Sequence, residues 1–211
     1  MKNSGHPAEF LDVDLRGLAN FIMLARADVV LVDGARGVKY GGKQHVLDQL
    51  QEILPRAVRY EAALQHDDVD AATGAILGPH RGLDVGQARL GALDFLEQVP
   101  VDQLVLFDRS PLSSEVYEPS DPASSAEVAG WLHRVKHGNL RQVLVIALDE
   151  NARGAALDEQ HALENAVETR VLVPGFEAPR MHVFFARTWV DLHRVECCCT
   201  AKHLTTAWNY V

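Results

Sequence analysis

The sequence predicts an α/β fold in which a mostly parallel, five-stranded sheet is flanked by helices. Two observations favour it. The apolar runs are short, continuous and rich in β-branched residues, as in strands that are covered on both faces. Between these runs, apolar residues recur at helical spacing. An alternation of strands and helices is typical of a layered sheet with right-handed crossovers.

The elements follow from these patterns in chain order. The predicted strands are Val29–Val32, Ala57–Tyr60, Leu104–Phe107, Val143–Leu148 and Met181–Ala186. The predicted helices are Asp14–Arg26, Lys43–Leu54, Val85–Val99, Ser125–Val135, Ala155–Val167 and Trp189–Cys198. Glycine and polar residues predict loops over Asp67–Asp84 and Tyr117–Ser125. We therefore expect a helical N-terminal extension over residues 1–28 and one domain over residues 29–211.

Charge and hydropathy narrow the class of protein. The chain has 211 residues with 20 Lys+Arg against 29 Asp+Glu, a formal net charge of −9. An acidic chain disfavours a nucleic acid held through its phosphates, although it allows a local basic pocket. The apolar runs are far shorter than the roughly 20 residues of a membrane span, and residues 1–10 do not resemble a signal peptide. We expect a cytoplasmic protein without a membrane partner.

A glycine-rich segment between the first predicted strand and the next helix points to phosphate binding. Gly37, Gly42 and Lys43 have the spacing G-x-x-x-x-G-K, in which backbone N–H groups surround a phosphate and the lysine reaches its β- and γ-oxygens. Read from Gly34, the same loop would contain an insertion at Lys39–Gly41. The alternative is a plain glycine turn. The predicted nucleotide-binding residues are Gly34, Gly37, Gly41, Gly42, Lys43 and Gln44.

Gln44 stands where this pattern normally has Ser or Thr, whose hydroxyl binds Mg²⁺. A glutamine carbonyl oxygen can also bind Mg²⁺, from a longer side chain.

A second group of polar residues follows the third predicted strand. Asp108 could hold magnesium or accept a proton, and Arg109 could neutralise a phosphate, which are the tasks that phosphoryl transfer sets a protein. We predict Lys43, Asp108 and Arg109 as catalytic residues and Gln44 and Asp108 as metal ligands. The alternative is that Ser110 and Pro111 simply start a helix.

The residues Val29–Leu54 and Val105–Glu118 resemble the thymidylate kinase group of the P-loop nucleoside and nucleotide kinases. The resemblance implies a three-layer P-loop kinase fold with Asp108 and Arg109 at the reacting phosphates. It implies that Ser113 and Tyr117 lie on the acceptor side and that Glu61 lies near the active site. Arg81 is a further candidate for binding the substrate phosphate, with an exposed loop arginine as the alternative.

The chain departs from the family at Gln44, in a phosphate loop three residues longer, and in a predicted lid helix, Ala155–Val167, without Lys or Arg. We predict a kinase that uses ATP and Mg²⁺ and phosphorylates a nucleotide-type acceptor, with a deoxynucleoside monophosphate as the leading candidate. The first alternative is phosphorylation of a hydroxyl on a nucleoside, a modified base or a polynucleotide. The second is a nucleotide-binding protein with impaired catalysis. The resemblance also suggests a homodimer.

Overall fold

The computed structural model describes residues 11–35, 42–61, 103–117, 119–173, 176, 178, 180–191 and 196–204. Within these ranges the chain forms seven strands and five α-helices. The strands are β1 (Leu11–Asp14), β2 (Val29–Gly34), β3 (Val58–Glu61), β4 (Val105–Asp108), β5 (Gln142–Asp149), β6 (Met181–Asp191) and β7 (Glu196–Leu204). The helices are α1 (Leu15–Leu24), α2 (Gly42–Ile53), α3 (Leu112–Tyr117), α4 (Pro122–His137) and α5 (Ala155–Ala166), and a π-helical turn (Val167–Val171) follows α5.

The strands form one sheet in the order β1-β7-β6-β5-β2-β4-β3. The five strands from β6 to β3 in this order run parallel, and β7 and β1 continue the sheet in antiparallel pairing. The connection after β2 leads toward β3 on one side, and α5 leads from β5 toward β6 on the other. Open α/β sheets bind ligands outside the carboxyl ends of strands at such a reversal. The ends of β2 and its neighbours are therefore where a site is expected.

Helices cover both faces of the sheet and give three layers. Val30 and Val32 of β2 pack in one core with residues of α1 and α2, and Val29 and Leu31 pack in a second core with residues of α3, α4 and α5. Successive strand residues face opposite sides of a sheet. This explains why β2 is a continuous apolar run, with residues 29–32 fully buried.

All five predicted strands are confirmed, as are the helices over α1, α2, α4 and α5, with small shifts at their ends. Asp14 accepts a hydrogen bond from Gly17 N at 2.7 Å and so caps α1. α3 extends to Tyr117 and α4 begins at Pro122, so the connection predicted over Tyr117–Ser125 is shorter than expected. The predicted helix Val85–Val99 and loop Asp67–Asp84 lie outside the described residues.

The prediction of a helix over Trp189–Cys198 is wrong. Trp189–Asp191 belongs to β6 and Glu196–Cys198 to β7, and the two strands pair antiparallel. The pairing satisfies backbone groups over a long stretch, which outweighs the weak helical spacing of this segment. With β1 and β7, the described sheet has two strands more than the five predicted. None of the described helices is long and apolar enough to cross a bilayer.

Candidate functional site

Lys43 and Asp108 form an ion pair at the carboxyl edge of the sheet. Lys43 is the second residue of α2, and its Nζ contacts Oδ1 of Asp108, the last residue of β4. The Asp108 side chain is 4% exposed and the Lys43 side chain 15%. A carboxylate buried this deeply is costly without a counter-ion. The pair satisfies Asp108, and the Lys43 side chain as a whole stays partly exposed.

Gly34 allows α2 to approach the end of β2. A Cβ atom at residue 34 would lie 3.0 Å from the carbonyl oxygen of Ala147 and 3.2 Å from Cβ of Lys43. Contacts this short are tighter than almost all real Cβ contacts, so a larger residue here would displace one of its neighbours. The absence of a side chain at Gly34 therefore helps to position Lys43.

The start of α2 is fixed by a strand elsewhere in the sheet. Gly42 has a φ of 69°, in the left-handed region that glycine adopts without steric penalty. Its N–H donates to Oγ1 of Thr188 in β6 at 2.8 Å. Because a helix carries partial positive charge at its N-terminus, this end of α2 adds to the positive potential around Lys43.

Asp33, fully buried at the end of β2, holds the turn that follows β4. Its Oδ2 accepts hydrogen bonds from the backbone N–H of Ser110 at 3.1 Å, the Ser110 hydroxyl at 2.7 Å and the Ser113 hydroxyl at 2.6 Å. Its Oδ1 accepts from Gly34 N at 2.8 Å. These neutral donors stabilise the buried carboxylate and fix the geometry of the turn.

This turn holds Arg109 in a backbone conformation that a side chain disfavours. Arg109 has a φ of 80°, and its N–H donates to the carbonyl oxygen of Val32 at 2.8 Å. Its guanidinium carbon lies 5.5 Å from the centre of the Tyr117 ring, within cation–π range. A non-glycine residue at such a φ costs on the order of 1–3 kcal/mol, and such residues concentrate at functional sites.

Ser113 and Tyr117, predicted on the acceptor side, both donate their hydroxyl groups within the protein. Ser113 donates to Asp33, as described, and Tyr117 donates to the carbonyl oxygen of Gly34 at 2.7 Å. Ser113 is buried and Tyr117 is half-buried beside Arg109. Their contact with an acceptor stays a prediction, and in this arrangement both help to join α3 to the end of β2.

Arg59 of β3 links the start of α2 to Asp108. Its Nη2 lies 3.0 Å from Oε1 of Gln44 and 3.7 Å from Oδ2 of Asp108. Its Nη1 lies 2.8 Å from Oδ1 of Asp48, which also accepts from Nε2 of Gln44 at 2.8 Å. A second cation therefore stands beside the Lys43–Asp108 pair.

This network bears directly on the predicted magnesium ligands. Mg²⁺ requires oxygen ligands at about 2.0–2.1 Å in octahedral geometry. The Gln44 carbonyl oxygen accepts from Arg59, and the two oxygens of Asp108 face Lys43 and Arg59. As arranged, these side chains do not fit a magnesium ion, and their role as its ligands stays a prediction that requires Arg59 to move. Among the described residues, no three His, Cys, Asp or Glu side chains form a metal-binding group.

His45, the residue after Gln44, adds no positive charge at neutral pH. Burial lowers the pKa of His45 below its ordinary value of 6.5, and this effect exceeds the opposite effect of the nearby Asp48 and Glu52 carboxylates. Within the described part of the chain, the cations of the site are therefore Lys43, Arg59 and Arg109.

The structure brings together most of the residues that the sequence singles out. Gly34, Gly42, Lys43 and Gln44 lie at the carboxyl edge with Asp108 and Arg109, as the preceding contacts describe. Glu61 ends β3 and pairs in register with Asp108. The remaining predicted residues, Gly37, Gly41 and Arg81, lie outside the described part of the chain.

Three residues of the site were missed by reasoning from the sequence. Asp33 directly follows the predicted strand Val29–Val32, and an aspartate that closes a fully apolar run is itself a signal. Arg59 lies within the predicted strand Ala57–Tyr60 and belongs to no motif that would mark it. Thr188 gives no local signal, because it contacts Gly42 across 146 positions of sequence.

No family model matches the chain, and no curated protein matches it either.

Proposed function

We propose that the protein is an ATP-dependent phosphotransferase that moves the γ-phosphoryl group to a nucleotide-type acceptor, with a deoxynucleoside monophosphate as the first acceptor to test. One observation carries the proposal. A partly accessible lysine at the start of α2 pairs with a buried aspartate at the end of β4, next to the reversal point of a parallel sheet. The layered α/β fold supports the finer assignment to a P-loop kinase fold.

A polyphosphate offers Lys43 an anionic partner in place of Asp108. Lys43 would then neutralise β- and γ-phosphate oxygens, aided by the N-terminal end of α2. The bond between the γ-phosphorus and the bridging oxygen breaks, ADP leaves, and a bond forms to the acceptor oxygen. Arg109 stabilises the charge on the transferred group, and the released Asp108 orients the acceptor or accepts its proton.

A second candidate is a nucleotide-binding protein with impaired catalysis. Both ends of the Gln44 amide are engaged, Oε1 by Arg59 and Nε2 by Asp48. The residue that replaces the usual metal-binding hydroxyl is thus tied to the protein. Tight ATP binding without transfer to any acceptor would favour this candidate.

The test combines ATP binding by calorimetry with transfer of labelled γ-phosphate. We expect Lys43→Ala to weaken ATP binding by about 100-fold, or about 2.7 kcal/mol, through the loss of a charge-assisted contact, and to abolish transfer. Arg59 remains as a cation near Asp108, 3.7 Å away, so we expect the variant to fold. Lys136→Ala, which removes the same charge from an exposed position on α4, is the matched control.

Normal transfer by Lys43→Ala would contradict the proposal, whereas an equal loss in both variants would indicate a non-specific effect of charge. The acceptors to compare are a deoxynucleoside monophosphate, a free nucleoside, a modified nucleoside and an oligonucleotide. A preference for a hydroxyl acceptor would support phosphoryl transfer but indicate a different class of substrate.

A further inference from the structure

Arg59 stands between the two side chains that the sequence predicts as magnesium ligands. A single nitrogen, Nη2, lies 3.0 Å from Oε1 of Gln44 and 3.7 Å from Oδ2 of Asp108. The other terminal nitrogen is held by Asp48 at 2.8 Å. Oxygen atoms from two elements, α2 and β4, thus converge on one guanidinium group.

The guanidinium group is well suited to this position. The Arg59 side chain is 22% exposed and the Asp108 side chain 4%, so their charges attract each other with little screening by solvent. Arginine stays protonated in proteins, and its planar set of donors matches phosphate oxygens as well as carboxylates. Unlike Mg²⁺, the guanidinium group does not require oxygen ligands at about 2.0–2.1 Å.

We infer that the Arg59 guanidinium takes the place of the divalent cation at this site, so that the protein binds a nucleotide polyphosphate without requiring Mg²⁺. The inference rests on the proposed function, since it concerns how the same site neutralises its ligand. Lys43 and Arg59 flank Asp108 from α2 and β3, respectively, and both would contact phosphate oxygens when a polyphosphate arrives. Gln44 then serves to orient Arg59, which explains why an amide at this position is compatible with binding.

The test measures ATP affinity by calorimetry in excess EDTA and in excess Mg²⁺, for the wild-type chain and for Arg59→Gln. For the wild type we expect the two affinities to agree within about threefold. For Arg59→Gln we expect binding in EDTA to weaken by about 30-fold, the loss of one charge-assisted contact, and Mg²⁺ to restore most of it. The matched control is Arg56→Gln, an exposed arginine three residues earlier, which should behave as the wild type.

Each outcome of this measurement supports or overturns the inference. A wild type that needs Mg²⁺, or an Arg59→Gln variant with the same metal dependence as the wild type, overturns the inference and leaves the proposed function standing. No ATP binding by any of these proteins in either condition overturns the proposed function, and the inference falls with it.

Should Arg59→Gln fail to fold, Arg59→Lys serves the same purpose. It keeps the charge but has one nitrogen in place of the planar set of donors that holds Gln44 and Asp48. We expect at least a threefold gain in metal dependence, and no gain overturns the inference.

Discussion

The two ends of β2 each have a buried aspartate, and different kinds of donor hold the two carboxylates. Asp28, just before the strand, accepts hydrogen bonds from Arg141, through backbone N at 2.8 Å, Nε at 3.1 Å and Nη2 at 2.8 Å. Asp33, near the end of the strand, accepts from the neutral N–H and hydroxyl groups of Gly34, Ser110 and Ser113. One carboxylate is paired with a cation and the other is held by dipoles.

The two ends of β2 differ in how the positive charge near them is used. At the amino end of β2, Arg141 is bound to Asp28 through several contacts and has a structural role. At the carboxyl end, Asp33 uses neutral donors, so Lys43 and Arg59 face Asp108, where a ligand can compete for them. Each end also has one arginine with positive φ, Arg26 at 50° and Arg109 at 80°, which allows the two ends to be compared by matched substitutions.

The largest effect is expected from Asp33→Ala. The change leaves two hydroxyls and two N–H groups in the interior without their acceptor, and we expect the free energy of unfolding to fall by about 3–5 kcal/mol. Urea denaturation measures it, with Asp158→Ala on the exposed face of α5 as control. A loss below about 1 kcal/mol would mean that neutral donors do not stabilise this end of β2 as described.

Gly34→Ala tests the close approach of α2 to β2. The added Cβ would crowd Ala147 and Lys43, and we expect a loss of about 1–3 kcal/mol in stability and about tenfold weaker ATP binding. Gly154→Ala is the control, because its φ is 55° while an added Cβ there meets no atom within 4 Å. The control should lose about 1–3 kcal/mol through backbone strain alone and bind ATP normally. Equal ATP binding by both variants would show that Lys43 does not depend on Gly34.

Arg26 and Arg109 both have positive φ, so replacing either with glycine relieves backbone strain at one end of β2. Comparing the two variants tests whether phosphoryl transfer depends on the residue at the carboxyl end. We expect Arg26→Gly to raise the free energy of unfolding by about 0.5–1 kcal/mol and to leave phosphoryl transfer unchanged. Arg109→Gly should change stability by less than about 1 kcal/mol, because losing the contact with Tyr117 offsets the relief of strain. It should also reduce transfer by about 100-fold. Equal transfer in the two variants would remove Arg109 from the mechanism.

A smaller effect than at Asp33 is expected at the amino end, from Asp28→Asn. Burial by itself raises the pKa of Asp28, but hydrogen bonds and charge from Arg141, with a contribution from Arg180, together lower it below its ordinary value of 3.8. Because the pKa of Asp28 is lower in the folded than in the unfolded protein, its ionised carboxylate stabilises the fold at pH values above 3.8. This stabilisation is lost as pH falls through the pKa of the folded protein. We expect Asp28→Asn to cost about 1 kcal/mol at pH 7 and progressively less as pH falls below 3.8, the ordinary pKa of the group. A cost that does not change over this range would show that the ion pair contributes nothing.

The elements of this fold that depend on local residue patterns could be predicted from the sequence. β2 and β5 are continuous apolar runs, and α2 has clear helical spacing, so their positions follow from the residues themselves. The strand β7 could not be predicted in this way, because it depends on its pairing with β6 and β1 and not on a pattern in its own residues.

The same distinction holds for the site. Lys43 and Asp108 could be placed together, because residues at the carboxyl ends of parallel strands share one edge. The position of Arg59 depends on the register of β3 beside β4 and on where α2 begins, and no short motif encodes either. The role of Asp33 depends on hydroxyls that lie 77 and 80 positions further along the chain.

The ends of the glycine-rich segment have a consequence for how this chain can vary. The Tyr117 hydroxyl binds the carbonyl oxygen of Gly34, and the Thr188 hydroxyl binds the N–H of Gly42. Both bonds come from outside the segment, from α3 and β6, so residues 83 and 146 positions away hold its two ends. Substitutions at Tyr117 or Thr188 are therefore a way for evolution to shift Lys43 without a change in the segment itself.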